Sequence, residues 1–399
     1  MRILVACELP EFALDELRGL GSEVLYEPQI SAAALAQHVG QVGILVVDQT
    51  PVTAEALVQG RALQMIVVAG SGSGQVAVDM AAEQGILVTH CPHKDAVAAA
   101  ELALGLMLAL DREIVDNAVA LRAGHWERGR FLQARGLAGR TLGIIGSDEF
   151  TRTLAPRAKA CQMHVIAWRP EAPTVPEQYD DIEYCNWPRE LARRSEVVVL
   201  QTPLGPGVDF EVDADFLKCM KTGAALVHVG DHCIVDEAAL LEALAAQQLR
   251  VALDVLPGAP PGDAGRVKSA LLQHPRVIGT HRVAGVTEQA RQAIATEVVR
   301  IVAAFLISGE IVNALNISER SPATWQLVLR VRDQVGVMAG VLDAVRADGI
   351  NAEEITIRVF HGAKAAWCNV ALDERPSTEA LEAIRALPDV LHLELRAVV

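Results

Sequence analysis

The sequence predicts an α/β protein with two doubly wound parallel sheets and a small strand-and-helix module after them. Three observations carry this. Short β-branched apolar runs alternate with helical stretches from residue 3 to residue 279; a glycine-bearing strand and turn, Leu142-Gly143-Ile144-Ile145-Gly146, opens a second such series midway; and residues 319–399 read as strand, helix, strand, strand, helix, strand. At 399 residues the chain is too long for a single core and suits two or three domains.

In chain order, residues 3–7, 44–47, 65–68 and 86–89 are apolar runs of strand length, with a helix expected at 11–20. They predict a small parallel domain over residues 1–92. From 96 to 123 the apolar positions Ala99, Leu102, Leu106, Leu110 and Ile114 recur at helical spacing, which predicts one long connecting helix. Strands at 142–146, 165–168, 197–201, 224–229, 250–253 and 277–279 then build the second sheet, in a domain spanning 93–285. A helix at 288–308 returns the chain to the first domain, which is therefore discontinuous, 1–92 with 286–318. A polar stretch at 317–322 marks a linker to the last domain, 319–399.

Composition excludes several function classes. Apolar residues make up 51% of the chain and aromatic ones only 4%, and the longest apolar stretch, 98–110, is interrupted by Glu101 and is too short to span a bilayer. The N-terminus enters a strand-like run without a basic segment or a long apolar core, so a cytoplasmic protein is expected. Seven cysteines, an odd number without a CxxC pair, read as reduced thiols. A formal net charge of −15 without a basic cluster argues against a general grip on nucleic acid or an anionic membrane.

The segment Leu142-Gly143-Ile144-Ile145-Gly146-Ser147, followed by residues 226–240 and by Ala252-Leu253-Asp254-Val255-Leu256-Pro257-Gly258-Ala259-Pro260, resembles the D-isomer-specific 2-hydroxy-acid dehydrogenases. Residues 325–399, with Arg332-Asp333-Gln334-Val335-Gly336-Val337-Met338 and Gly349-Ile350-Asn351, resemble the ACT domain that the 3-phosphoglycerate dehydrogenases of that family carry. The resemblance implies a flavodoxin-like substrate domain, a Rossmann nucleotide-binding domain and a ferredoxin-like ACT domain. It also implies a substrate loop at Ala69-Gly70-Ser71-Gly72, NAD or NADP as cofactor, and a homodimer or tetramer.

The site positions implied by the resemblance are largely replaced. Where the family has the fingerprint GxGxxG, this chain has Gly146, Ser147, Asp148, Glu149, Phe150 and Thr151; only the first glycine remains, and Asp148 brings bulk and negative charge to the place of a diphosphate. The acid expected on the ribose aligns with Arg169, a residue type that also suits the 2′-phosphate of NADP. The arginine that clamps the substrate carboxylate aligns with Asp231, the glutamate of the catalytic pair with Ala259, and the histidine with Arg282, with His281 one residue earlier as a substitute acid/base. Two like charges about 4 Å apart repel by about 1 kcal/mol in water and about 4 kcal/mol at an intermediate dielectric, so Asp231 turns an attraction into a repulsion. Losing a positioned acid/base costs a factor of about 10² to 10⁴. An ion pair between Asp231 and Arg282 is one expectation of these exchanges.

His90, Cys91, His93, His228, His232, Cys233 and His281 are metal-ligand types near strand ends, yet their spacing fits no zinc motif, and no metal site is assigned. In the tail, Asp333, Gly336 and Asn351 are the candidate effector contacts; Asn351 matches the family, Val331 replaces its histidine, and serine is a doubtful effector. Three functions stay open: a dehydrogenase-derived pseudoenzyme that binds a small ligand or a partner such as a true dehydrogenase subunit, an active NAD(P)-dependent oxidoreductase of altered specificity, and a small-molecule sensor working through the tail.

Overall fold

The structure is a computed structural model describing residues 1–72, 74–168, 178–179, 181–201, 210–230, 234–260, 264–318 and 321–398. Residues Met1–Asn316 form one compact unit and Ile317–Val399 a second. In the first, β1 (Arg2–Ala6), α1 (Glu11–Gly19), β2 (Glu23–Tyr26), α2 (Ala32–His38), β3 (Ile44–Val47), α3 (Ala54–Gln59), β4 (Met65–Val68), α4 (Val78–Glu83) and β5 (Leu87–His90) build a parallel sheet of order β2-β1-β3-β4-β5. Its central strands β3 and β4 read as unbroken apolar runs because both faces are covered. Ile3 and Val5 enter one core and Leu4 and Ala6 the other.

The connecting segment corrects the expected single helix. It is two helices, α5 (Ala96–Arg112) and α6 (Ile114–Arg122), separated by Glu113 in the left-handed region at φ 48°. Arg250 supplies the reason: its guanidinium donates to the Leu110 carbonyl at 3.0 Å and pairs with Glu113 at 3.3 Å, ending the first helix there.

The second sheet follows with β6 (Thr141–Ile145), α7 (Asp148–Ala160), β7 (His164–Trp168), β8 (Gln178–Tyr179), β9 (Ile182–Cys185), α8 (Pro188–Arg194), β10 (Val197–Leu200), α9 (Ala214–Cys219), β11 (Ala225–His228), α10 (Glu237–Gln247), β12 (Arg250–Leu253) and β13 (Val277–Gly279). Its order is β13-β12-β11-β10-β6-β7-β9-β8, with only the short edge strand β8 antiparallel. Leu142 and Ile144 pack on one side and Ile145 on the other, so this sheet too is doubly wound. Helix α11 (Glu288–Ser308), capped by the Thr287 hydroxyl, brings Val298 and Val302 into the core of the first sheet.

The second unit contains β14 (Trp325–Arg332), α12 (Val337–Ala347), β15 (Ala352–Val359), β16 (Ala365–Leu372), α13 (Thr378–Arg385) and β17 (Val390–Ala397), an antiparallel sheet of order β15-β16-β14-β17. This is the expected ferredoxin-like order. Among the described residues no helix is long and apolar enough to cross a membrane.

Candidate functional site

In an open parallel sheet, ligands bind beyond the carboxyl ends of the strands where the connections reverse direction. Here that point lies between β6 and its neighbour β10, so the turn after Ile145 and the residue Gln201 face it. Gly146 must be glycine: a Cβ there would lie 3.0 Å from Phe150 Cδ1 and 3.2 Å from the Gln201 carbonyl oxygen. The Ser147 amide donates to Gln201 Oε1 at 3.2 Å, and its hydroxyl accepts from the Phe150 amide at 3.3 Å as the N-cap of α7. Asp148 and Glu149 occupy the first turn, where carboxylates favour the positive end of the helix dipole. Thr151, at the third glycine position, is 2% exposed and packed between helix and sheet.

Two donors of this helix N-terminus, the Ser147 and Phe150 amides, are thus engaged within the chain, and the added charge there is negative. The turn keeps only the first glycine of the dinucleotide fingerprint, with Asp148 and Thr151 at the other two positions. Arg169 lies outside the described residues.

The family's chemical positions depend on the end of β12. Asp254, 2% exposed, accepts from the Thr280 hydroxyl at 2.5 Å, the Val283 amide at 3.0 Å and the Ala284 amide at 2.8 Å. Its backbone carbonyl accepts from the Arg282 amide at 2.9 Å. This clasp fixes the turn that carries His281 and Arg282, both exposed, and holds Arg282 in the left-handed region at φ 53°. Ala259 is exposed, with its amide on the Leu256 carbonyl at 3.2 Å, and a methyl group there offers no acid to a neighbour. Asp231 lies outside the described residues, and the expected Asp231–Arg282 ion pair with it.

From the first sheet, β3, β4 and β5 end in Asp48, the Gly70–Gly72 turn and His90. Burial holds the Asp48 carboxyl above its ordinary value, against the hydrogen bond from Gln49 and the positive charge of Arg282. His90 Nδ1 lies 2.9 Å from the Ser71 carbonyl; a carbonyl only accepts, so Nδ1 carries the proton and Nε2 of the neutral ring is an acceptor. Burial also lowers the pKa of His90, which favours that neutral form. Ser71 donates to Asp95 at 2.8 Å, and Gly285 packs on Asp95 so closely that a Cβ would lie 3.1 Å from its Cβ. Sequence reasoning missed Asp48, Asp95 and Gln201, and quoted Asp254 without seeing its part.

Burial pushes the Cys91 thiol up to about 12, which keeps it protonated and poorly suited to ligate a metal. Among the described residues no group of three or more His, Cys, Asp or Glu is placed to hold a metal ion; His232 and Cys233 are outside them. Two open surface grooves, about 640 and 710 Å³, are lined around Trp187 and Phe210 and around Ala32 and Gln37; Phe210 of the first packs on Trp168 at the end of β7, with ring centroids 5.5 Å apart.

In the second unit, Gly336 adopts φ 91° ahead of α12, a turn that only glycine makes without strain, and Val335 beside it is fully exposed. The Asp333 amide donates to the Lys364 carbonyl at 3.2 Å, and the Asn351 side-chain amide donates to Glu353 at 2.7 Å. Asp333 follows the last residue of β14 and Asn351 precedes the first of β15, and both strands run the same way beside β16. With 8 residues per strand they lie at opposite ends of the sheet, about 25 Å apart. One copy of the chain does not bring these effector candidates together.

Residues 104–284 match the family described as D-isomer specific 2-hydroxyacid dehydrogenase, NAD binding domain. A hydroxypyruvate reductase of Thermotoga maritima is 33% identical, over 66% of this chain and 85% of that protein. A D-3-phosphoglycerate dehydrogenase of Methanocaldococcus jannaschii is 31% identical over 86% of this chain, which spans 65% of the length of that relative. The crystal structure of the TT0316 protein from Thermus thermophilus superposes with a TM-score of 0.67 at 30% identity, covering 79% of this chain and all of that one.

Proposed function

Since the chain belongs to the D-isomer-specific 2-hydroxyacid dehydrogenase family, we propose that it is a derivative in which NAD- or NADP-dependent oxidation is lost or greatly weakened and the retained scaffold binds a small ligand or a partner. The relatives' names give the ancestral substrate class, small 2-hydroxy and 2-oxo acids. The observation that carries the reading is the phosphate turn. Its Ser147 amide is engaged by Gln201 and its helix begins with two acids, Asp148 and Glu149. Ala259 and Arg282 support the same conclusion, because neither side chain can serve as the expected acid or base at neutral pH. Asp231, at the position of the carboxylate clamp, would repel an acid substrate.

The rival reading, an active NAD(P)-dependent oxidoreductase of altered specificity, is favoured by the match of residues 104–284 to an NAD binding domain and by the exposed His281 beside Arg282. A sensor role for the ACT-like tail would need two copies, since Asp333 and Asn351 are far apart in one. A homodimer is supported by the uncovered apolar side chains of α6, Ile114, Val115, Val119 and Leu121, and by Trp126 at 79% exposure. We take the two sheets as lobes, 1–92 with 286–318 and 93–285, that face each other around the ligand, and the setting as the cytoplasm.

The test is a titration of the full chain with NADH and NADPH followed by nicotinamide fluorescence. The proposal expects no saturation below millimolar concentrations; micromolar binding of either would overturn it.

A further inference from the structure

Side chains alternate across a strand, so the sheet of the second unit has one face under its helices and one turned away from them. Leu329, Cys368 and Leu393 pack with Val341 and Ile384 of the two helices, which puts Arg330 of β14, Trp367 of β16 and His392 of β17 on the other face. Arg358 of β15 joins them, since its neighbour Ile357 lies opposite Cys368. The register sets these four in one row: Arg358 and Arg330 lie opposite Trp367 on its two sides, and His392 lies opposite Arg330. Directly opposite Cβ atoms are about 4.5–5.5 Å apart, so two guanidinium groups flank one indole. Arg358, Arg330 and His392 are exposed, and Trp367 is half-buried. Among the described residues neither arginine forms an ion pair. The acids of this face lie further along: Glu394 is held by Arg396 at 2.8 Å, and Glu354 stands toward the other end of β15.

We infer that this row takes a single nucleotide, its base stacked on Trp367 and its phosphate held by Arg330 and Arg358. Any nucleobase offers a π face to an indole, and a guanidinium group matches phosphate oxygens with a fork of donors. A phosphate without a ring leaves the indole uncovered, and a ring without a charge leaves the arginines unmatched. A strand of nucleic acid fits less well: its further phosphates would run over Glu394 and Glu354, on a chain of net charge −15. One nucleotide meets only the basic end of the face. The row belongs to the second unit alone and is independent of whether the first has lost its chemistry.

AMP and ribose 5-phosphate, which share sugar and phosphate and differ in the base, are the probes, titrated into the full chain by ligand-observed NMR. The face encloses nothing, so a Kd of about 1 mM is expected for AMP. One stacked base should make AMP bind at least about fivefold more tightly than ribose 5-phosphate. Trp367→Thr should abolish that preference, and Trp367→Phe should retain most of it. The double exchange Arg330→Gln and Arg358→Gln should weaken both ligands at least about tenfold. Melting curves check that each variant folds, and the exposed arginine pair carries the test should Trp367→Thr unfold. No binding of AMP overturns the inference, as do equal affinities for the two probes or AMP binding that survives both sets of exchanges. A single-stranded oligouridine that binds more tightly than AMP would also overturn it, in favour of a nucleic-acid strand.

Discussion

Asp254 is the residue whose removal should do most damage to the candidate site. Asp254→Ala deletes the acceptor of three hydrogen bonds, from Thr280, Val283 and Ala284. Hydrogen bonds to a charged group contribute about 1.5–3 kcal/mol each, but water can replace the lost partner wherever it reaches the donor. Val283 is exposed at 41%, so its amide is readily rehydrated, whereas Ala284 is 6% exposed and its amide would be left without a partner. Counting that amide in full and the other two in part gives a cost of about 3–5 kcal/mol, a large share of the 5–15 kcal/mol typical of a domain. The expected fall in melting temperature is about 5–10 °C. Hydrogen exchange provides the local readout: the Val283 and Ala284 amides should lose protection, while the strand amides of β12 keep theirs. Asp254→Asn, which retains one acceptor oxygen, should fall between. A melting temperature unchanged by Asp254→Ala, with protection at Ala284 intact, would refute the clasp.

Three further outcomes are expected. Asp148→Gly removes a like charge from the place of a diphosphate, a repulsion of about 1–4 kcal/mol per unit charge at 4 Å, and should raise NADH affinity at least about tenfold in the fluorescence titration; no change would mean that Asp148 does not face the phosphates. Glu297 is held down to about 2 from its ordinary 4.5 by hydrogen bonds from Arg300, with Lys94 and Asn313 adding to the effect against burial. A depressed acid contributes stability that is complete above pH 4.5 and lost as pH falls toward about 2; with Arg300 about half exposed the contribution is about 2 kcal/mol, and Glu297→Gln should flatten this acid limb in urea titrations at successive pH values. Asp111 and Arg140 form a pair at 2.9 Å with side chains 5% and 10% exposed. Asp111→Ala leaves the Arg140 charge buried and should cost about 3–5 kcal/mol in chemical denaturation, and a loss below about 1 kcal/mol would show that water relieves it.

Much of the fold was legible because parallel strands covered on both faces must be apolar throughout. The runs at 44–47, 65–68 and 250–253 coincide with β3, β4 and β12, and the helix at 288–308 with α11. What escaped lies where this physics weakens. Strand β2, at a sheet edge, is partly exposed along its whole length and carries Glu23 and Tyr26, so it offers no apolar run, and β9, next to the short edge strand β8, is similarly mixed. The break at Glu113 bears neither glycine nor proline; it is set by Arg250, more than a hundred residues away, and no local pattern announces it.

The site divides in the same way. Positions 146–151, 259 and 282 were named from their spacing within motifs. Asp48 was not, since a single acid after an apolar run means nothing until the fold brings the Gly70 turn beside it. Asp254 stood inside a quoted motif, but its partners lie 26 to 30 residues downstream and only the folded chain joins them. The effector candidates were read together from the tail, and the strand directions separate them.

The most direct test of lost chemistry is turnover. The full chain is mixed with NAD or NADP and, in turn, D-3-phosphoglycerate, D-glycerate and D-lactate, and formation of the reduced nicotinamide is followed by absorbance. No rate above that of buffer is expected, and the triple exchange Asp231→Arg, Ala259→Glu and Arg282→His should raise it. A kcat for the unaltered chain in the usual enzyme range of about 1–10³ s⁻¹ would contradict the account.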